Sequence, residues 1–166
     1  MEKLEKLFSS LEGRILCYGI MEENYLTCIQ KNKKIKECFL LNSTDLKRNE
    51  KGGRTRKISP KTFLRRFGKK SMDILVINEE ELGNLEKRLI SLFIKVTKTR
   101  IYIYHISDLE KVKKRYKRYH GNCKDRKDYL EVDITKTRQN AFMDKVYYVW
   151  DSCIDVIDLI SDFLVS

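Results

Sequence analysis

Short, continuous apolar runs recur along this chain, separated by stretches whose apolar residues repeat at helical spacing. Residues 72–78 (MDILVIN) and 100–105 (RIYIYH) are too short for buried helices. Similar runs cover residues 14–19 and 37–42. Strands buried on both faces have this pattern, and they occur in parallel sheets that helices cover. The sequence therefore predicts an α/β fold.

Helical spacing and capping residues predict the intervening helices. Leu4, Leu7, Phe8 and Leu11 share one helix face, and Ser59 followed by Pro60 starts a short helix. Alternating residues 129–134 predict a half-exposed strand. The resulting architecture is a three-layer sandwich in one domain, 1–166, with a mostly parallel, twisted sheet and helices on both faces. The predicted helices cover residues 1–11, 22–32, 60–67, 79–96, 108–119 and 144–164.

The composition favours a soluble, cytoplasmic protein. Hydrophobic residues make up 42% of the chain and charged residues 36%. No apolar run approaches the roughly 18 residues of a membrane span, and the first residues do not resemble a secretory signal. The five cysteines include no C-x-x-C pair, so most are expected to be small buried hydrophobes. His120 and Cys123 form a lone H-x-x-C, which does not predict a metal site.

The net charge of +11 is concentrated in two segments. Residues 47–70 contain eleven lysines and arginines against one acid, and residues 111–127 contain nine against one. Basic segments with interleaved aromatic rings are typical of proteins that bind single-stranded nucleic acid. The alternative is a solvated helix face with tyrosines packed on the sheet. The candidate contacts to nucleic acid or another polyanion are Arg54 and Arg56 in the basic loop 47–60, and Lys114, Arg115, Tyr116, Arg118 and Tyr119.

The C-terminal segment reverses the sign of the charge. Asp151, Asp155, Asp158 and Asp162 form one acidic stripe on the predicted helix 144–164, beside a broad apolar stripe. An ordinary core-packed helix with an acidic outer face explains this pattern. The alternative is that the stripe meets a basic surface within the domain or on a second copy, which would give a homodimer.

The order of elements resembles the class I S-adenosylmethionine-dependent methyltransferases. In that family a leading helix precedes a strand that ends in a glycine loop, and a second strand ends in an acid that holds the ribose. The chain repeats this order over residues 5–134, and its segment 67–73 (FGKKSMD) is similar to the phrase before a later strand of that family. The resemblance implies S-adenosylmethionine, or a related nucleotide, as the cofactor.

The residues at the family's cofactor positions differ from the usual motif. Only Gly19 remains of the glycine loop, Asn42 stands where the ribose-binding acid is expected, and Asn78 ends the strand near the substrate. Because ligands of open parallel sheets bind beyond the carboxyl ends of the strands, these three residues are the candidate cofactor site. A tight turn at Gly19 and strand-end caps at the asparagines are the structural alternatives.

His105 follows another strand and is a candidate base near the site, or else a histidine at its rim. No arrangement of catalytic residues is identifiable from spacing. Two interpretations therefore stay open. One is a methyltransferase-like protein of unproven activity, and the other is a non-catalytic α/β module that binds a polyanion.

Overall fold

The computed structural model describes residues 2–43, 54–82, 87–116 and 122–135 of the chain. The chain divides into two units, Met1–Lys136 and Thr137–Ser166, and all of the described residues lie in the first. The predicted helix 144–164 and residues 47–53 of the basic loop lie outside the described residues, as do Arg118 and Tyr119.

Seven strands form a single sheet. They are β1 (Gly13–Tyr18), β2 (Ile35–Leu41), β3 (Thr55–Lys57), β4 (Met72–Asn78), β5 (Thr97–Tyr104), β6 (Cys123–Asp125) and β7 (Tyr129–Asp133). Their order across the sheet is β3-β2-β1-β4-β5-β7-β6. The first five strands are parallel, and β7 pairs antiparallel with both β5 and β6. The predicted mostly parallel sheet is confirmed, with one antiparallel hairpin at its edge.

Helices cover both faces of the sheet, as predicted. They are α1 (Glu2–Ser10), α2 (Glu23–Lys31), α3 (Pro60–Arg66), α4 (Lys87–Val96) and α5 (Leu109–Arg115). Helices α1 and α2 bury one apolar face on the sheet, together with Ile15, Cys17 and Tyr104. Helices α3, α4 and α5 bury the opposite face, together with Leu16 and Tyr18. Successive residues of β1 thus point to different layers, which is why that strand is apolar throughout.

The segment predicted as one long helix, 79–96, is different in the structure. A 3₁₀ turn covers Glu80–Leu82, and the described part of α4 is Lys87–Val96. The Asn78 side chain accepts a hydrogen bond from the backbone N–H of Glu80 at 3.2 Å, which closes a tight turn at the strand end. An asparagine at a strand end therefore competes with the helix that the glutamates favour.

The remaining differences are at short edge elements. Strand β3 covers Thr55–Lys57, close to the short strand expected near residue 57, whereas β6 was not predicted. Each has three residues and no buried side chain, so neither carries an apolar pattern. Strand β7 shows the alternating burial predicted for residues 129–134.

The described cysteines are all free, as their spacing predicted. Cys17 and Cys38 are buried on the neighbouring strands β1 and β2, with their Sγ atoms 3.8 Å apart. Burial raises the pKa of the Cys17 thiol well above its usual value. Both therefore serve as small core residues, whereas Cys28 is only half-buried.

Candidate functional site

The candidate site lies where the strand order reverses, between β1 and β4. Parallel strands on the two sides of such a switch point lead into connections that diverge, which leaves a crevice at the carboxyl edge of the sheet. Tyr18 at the end of β1 pairs with Leu41 of β2 and with Ile77 of β4. The next residues, Gly19, Asn42 and Asn78, are therefore brought together at one edge, as the sequence predicted.

Gly19 is held at this edge by its backbone. Its φ of +73° lies in the left-handed region that glycine adopts without strain. Its N–H donates to the Leu41 carbonyl at 2.9 Å. A Cβ at this position would lie 2.6 Å from the Cβ of Glu81, in the turn after β4. The glycine is thus required by the close approach of that turn. A turn at Gly19 is the alternative to cofactor contact that the sequence offered.

Asn78 is buried and uses its amide within the protein. Its Nδ2 donates to the Gly19 carbonyl at 3.0 Å, and its Oδ1 accepts from the Glu80 N–H. The residue is 3% exposed. Asn78 therefore connects the end of β4 to the loop after β1.

Asn42 differs from the other two because it is exposed to solvent. Its φ is +46°, a conformation that asparagine tolerates better than most residues. An exposed amide at the end of β2 can donate to and accept from the hydroxyls of a ligand. Of the three predicted cofactor residues, Asn42 is the one whose side chain faces solvent.

His105 lies one strand further along the same edge, immediately after β5. Its Nδ1 is 3.4 Å from Oε1 of Glu22 and 3.8 Å from Oε2 of Glu80. Its φ of +52° is left-handed, which is uncommon for a residue with a side chain. The imidazole lines a cleft of about 680 Å³, which also reaches the start of α2 and the turn between β6 and β7. We call this the β5 cleft.

A cluster of aromatic rings lies behind the β5 cleft. The Tyr104 ring packs edge-on against Phe8, Tyr25 and His105. Burial, and then the negative charge of Glu22, raise the pKa of the Tyr104 phenol far above its usual value. The phenol is therefore neutral at physiological pH and contributes a hydroxyl group.

The predicted polyanion contacts are used differently by the structure. Tyr116 is fully buried, so its ring is not available to stack on a base, which corrects that expectation. Nη1 of Arg115 donates to both carboxylate oxygens of Glu79 at 2.8 Å. Arg54 donates to the carbonyls of Lys33 and Ile35.

Arg56 and Lys114 are exposed cations. The predicted nucleic-acid contacts therefore include exposed residues as well as residues that pack or hydrogen-bond within the protein. Arg56 lies on β3 and Lys114 on α5, the helix that follows β5. Strands β3 and β5 are four positions apart in the sheet, or roughly 19 Å at about 4.8 Å per strand. Arg56 and Lys114 therefore lie on separate elements of the described part of the chain.

Sequence reasoning missed Glu22 and Glu81 as parts of this edge, whereas Glu79 follows Asn78 at the strand end that the resemblance to the family places near the substrate. The positions of Glu22 and Glu81 depend on which loops meet, and a run of glutamates gives no sign of that. Among the described residues no group of three potential ligands could hold a metal ion. Nor is any helix within the described ranges both long and apolar enough to cross a membrane.

No family model matches the chain, and no curated protein matches it. Solved structures do match, and two are MycE, a methyltransferase from the mycinamycin biosynthetic pathway. The complex of MycE with Mg, SAH and mycinamycin VI has a TM-score of 0.55 at 13% identity, covering 80% of this chain and 44% of that one. The complex with Mg and SAH has a TM-score of 0.54 at 13% identity, covering 83% and 46%.

A SAM-dependent methyltransferase from Archaeoglobus fulgidus has a TM-score of 0.42 at 18% identity, covering 61% of this chain and 47% of its own. The likeness to MycE shows the fold, which is that of the class I methyltransferases. The chain spans less than half the length of the MycE structures that it matches.

Proposed function

We propose that this protein binds S-adenosylmethionine, or a closely related nucleoside, at the carboxyl ends of β1 and β2. The observation that carries the proposal is the switch point between β1 and β4, with the exposed amide of Asn42 at the end of the neighbouring strand. MycE, which shares the fold, was solved with SAH bound.

The residues present fit such a ligand at Asn42 and less well at Gly19. The Asn42 amide has the donor and acceptor that ribose hydroxyls require. At Gly19 the Glu81 side chain packs where a Cβ would lie, so the turn after β4 already contacts this glycine. We therefore assign ribose binding to Asn42 and a turn-forming role to Gly19. A bound sulfonium would supply an activated methyl group, which makes methyl transfer the corresponding activity.

Substitutions at Asn42 test this proposal. Titration calorimetry with S-adenosylmethionine and with its demethylated product measures the affinity. Asn42→Gly keeps the left-handed backbone and removes the amide, so affinity should fall roughly three- to tenfold, the usual worth of a neutral hydrogen bond. Asn42→Asp should strengthen binding, because a charge-assisted bond to a hydroxyl is about twice as strong.

Lys70→Gly is the matched control. Lys70 is exposed and has a φ of +52°, so this change also releases a left-handed residue, but before β4 and at the opposite edge of the sheet. The affinity of the Lys70→Gly variant for S-adenosylmethionine should equal that of the unchanged protein. Absence of heat and of a thermal shift at millimolar ligand would remove the proposal. Equal losses in Asn42→Gly and Lys70→Gly would remove the role of Asn42.

We propose polyanion binding as a second function, because Arg56 and Lys114 are both exposed. It requires no pocket and is compatible with nucleoside binding.

A further inference from the structure

The β5 cleft has a charge opposite to that of the whole chain. The carboxylates of Glu22, Asp125 and Asp128 line it, against the single ammonium of Lys127. Lys3 lies 3.9 Å from Asp128 with a side chain that is 60% exposed, so that ion pair is weak. In a chain of net charge +11, such a cleft selects cations over the anions that the rest of the surface attracts.

Two aromatic residues complete the lining, Tyr25 and Tyr129. Tyr25 is 3% exposed and stacks on Phe8 at 4.7 Å, so its ring supports the cleft wall from behind. Tyr129 is half-buried, and its ring packs edge-on against Tyr102 at 5.8 Å. Organic ammonium groups prefer an aromatic ring held beside carboxylates, because the ring face carries negative charge.

The histidine of this cleft is oriented by carboxylates. Nδ1 of His105 faces Glu22 at 3.4 Å and Glu80 at 3.8 Å, which fixes the orientation of the ring. The other groups near the ring are the edge of Tyr104 and the charged residues of the β6–β7 turn, Asp125, Lys127 and Asp128. The left-handed backbone of His105 is a strained conformation of the kind that accumulates at functional sites.

A buried polar group also lies next to the cleft. The Tyr104 side chain is fully buried, and its ring packs against Tyr25 and His105. Its hydroxyl interacts with the Glu22 carboxylate, which adds to the effect of burial in raising the pKa of the phenol.

We propose that the β5 cleft binds a small organic amine. Its ammonium group lies against Glu22 and the ring of Tyr129, with the His105 imidazole beside it. This inference goes beyond nucleoside binding and does not depend on it.

Three probes of one size test the selectivity of the cleft. Benzylamine, benzyl alcohol and benzoate differ in charge and share the ring. We expect benzylamine to bind about tenfold more tightly than benzyl alcohol, the usual gain from hydrogen bonds to charged groups, and benzoate not to bind. The chain has two histidines, so His120→Gln leaves only the His105 imidazole in NMR spectra. Benzylamine should shift that signal.

Glu22→Gln tests the charge at nearly constant shape. Benzylamine affinity should fall about tenfold, whereas that of benzyl alcohol should not change. Glu110→Gln is the matched control, since Glu110 is on α5, has a side chain that is 77% exposed and does not line the cleft. If Glu22→Gln does not fold, Asp128→Asn replaces it and should also lower the affinity for benzylamine.

Four results would overturn the proposal. They are no binding of benzylamine, equal binding of the alcohol, an unchanged His105 signal, and equal losses in the Glu22 and Glu110 variants. Because none of these measurements uses a nucleoside, the proposal for Asn42 can fail or hold separately.

Discussion

At the scale of single residues, Gly19 connects the sequence motif to the packing of the site. Its left-handed φ and its approach to Glu81 are both incompatible with a larger side chain. A substitution here therefore changes the fold of the edge as well as any ligand contact. For this reason Gly19→Val, a direct test of cofactor binding, cannot separate a loss of binding from a loss of stability.

We predict that Gly19→Ala destabilises the protein. The left-handed backbone alone costs about 1–3 kcal/mol for a residue with a side chain. The added Cβ must also displace Glu81, since the contact would be 2.6 Å. Urea unfolding followed by circular dichroism measures the loss.

Gly68→Ala is the control for that experiment. No atom lies within 4 Å of its Cβ position. It should change stability little or raise it, because alanine restricts the unfolded chain. If Gly19→Ala is as stable as Gly68→Ala, the close approach of the turn to Gly19 is not present in solution.

The positions of the site residues could be predicted, and their contacts could not. That parallel strands end at one edge was enough to bring Gly19, Asn42 and Asn78 together. The sequence gives no sign, however, that Asn78 donates to the Gly19 carbonyl or that Glu81 covers this glycine. Those contacts depend on the path of the turn after β4. The short polar side chain of Asn78 closes that turn, although the glutamates that follow it favour a helix.

At the scale of elements, an ion pair joins α5 to the turn after β4. The side chains of Arg115 and Glu79 are only 20% and 11% exposed, with both carboxylate oxygens 2.8 Å from Nη1. Tyr116 follows on the same helix and is fully buried. This basic helix is therefore attached to the sheet at its C-terminal end, which places two predicted nucleic-acid contacts inside the protein.

We predict that Arg115 and Glu79 are energetically coupled. A double-mutant cycle with Arg115→Ala and Glu79→Ala should give a coupling free energy of about 1.5–3 kcal/mol. Other hydrogen bonds between charged groups away from water have this value. Thermal or urea unfolding of the four proteins provides the measurement.

Lys113 and Glu110 supply the comparison from the same helix. Their side chains are 41% and 77% exposed, and their atoms are 3.5 Å apart. Exposed pairs of this kind contribute about 0–1 kcal/mol. Similar coupling in the two pairs would show that burial adds nothing to the Arg115–Glu79 bond.

Elements with a strong apolar pattern were predicted well, and short or capped elements were not. Strand β4 was predicted with the bounds that it has, because its residues face both apolar layers. Strand β6 was missed, since Cys123–Asp125 has no buried side chain and exists only by pairing with β7. Tyr116 was assigned to a nucleic-acid surface because basic neighbours surround it in sequence. Its burial follows from helical spacing, which places it four residues after the buried Val112, on the same face.

At the scale of the molecule, the exposed cations Arg56 and Lys114 lie on different elements, β3 and α5. We predict that reversing Arg56 and reversing Lys114 to glutamate weaken binding to single-stranded RNA additively in log Kd. Strand β5, which precedes α5, is roughly 19 Å from β3 across the sheet, and distant sites contribute independently. Fluorescence anisotropy at several salt concentrations gives both the affinity and the number of phosphates contacted.

Two outcomes limit that prediction. Absence of binding at low salt would remove the polyanion function. An unchanged affinity in the double variant would place the contact surface elsewhere on the chain. Glu110→Lys, which adds a cation on the same helix as Lys114, should strengthen binding if α5 contacts the phosphates.

The central place of β1 in the sheet has a consequence for synthesis of the chain. Ile15 of β1 pairs with Ile74 of β4, which is made 59 residues later. At about 5–20 residues per second, the ribosome needs roughly 3–12 s to supply that partner. During this interval the nascent chain carries an apolar strand with one open edge, the kind of edge that recruits other chains. Binding of β1 by a chaperone during translation would protect it until β4 emerges.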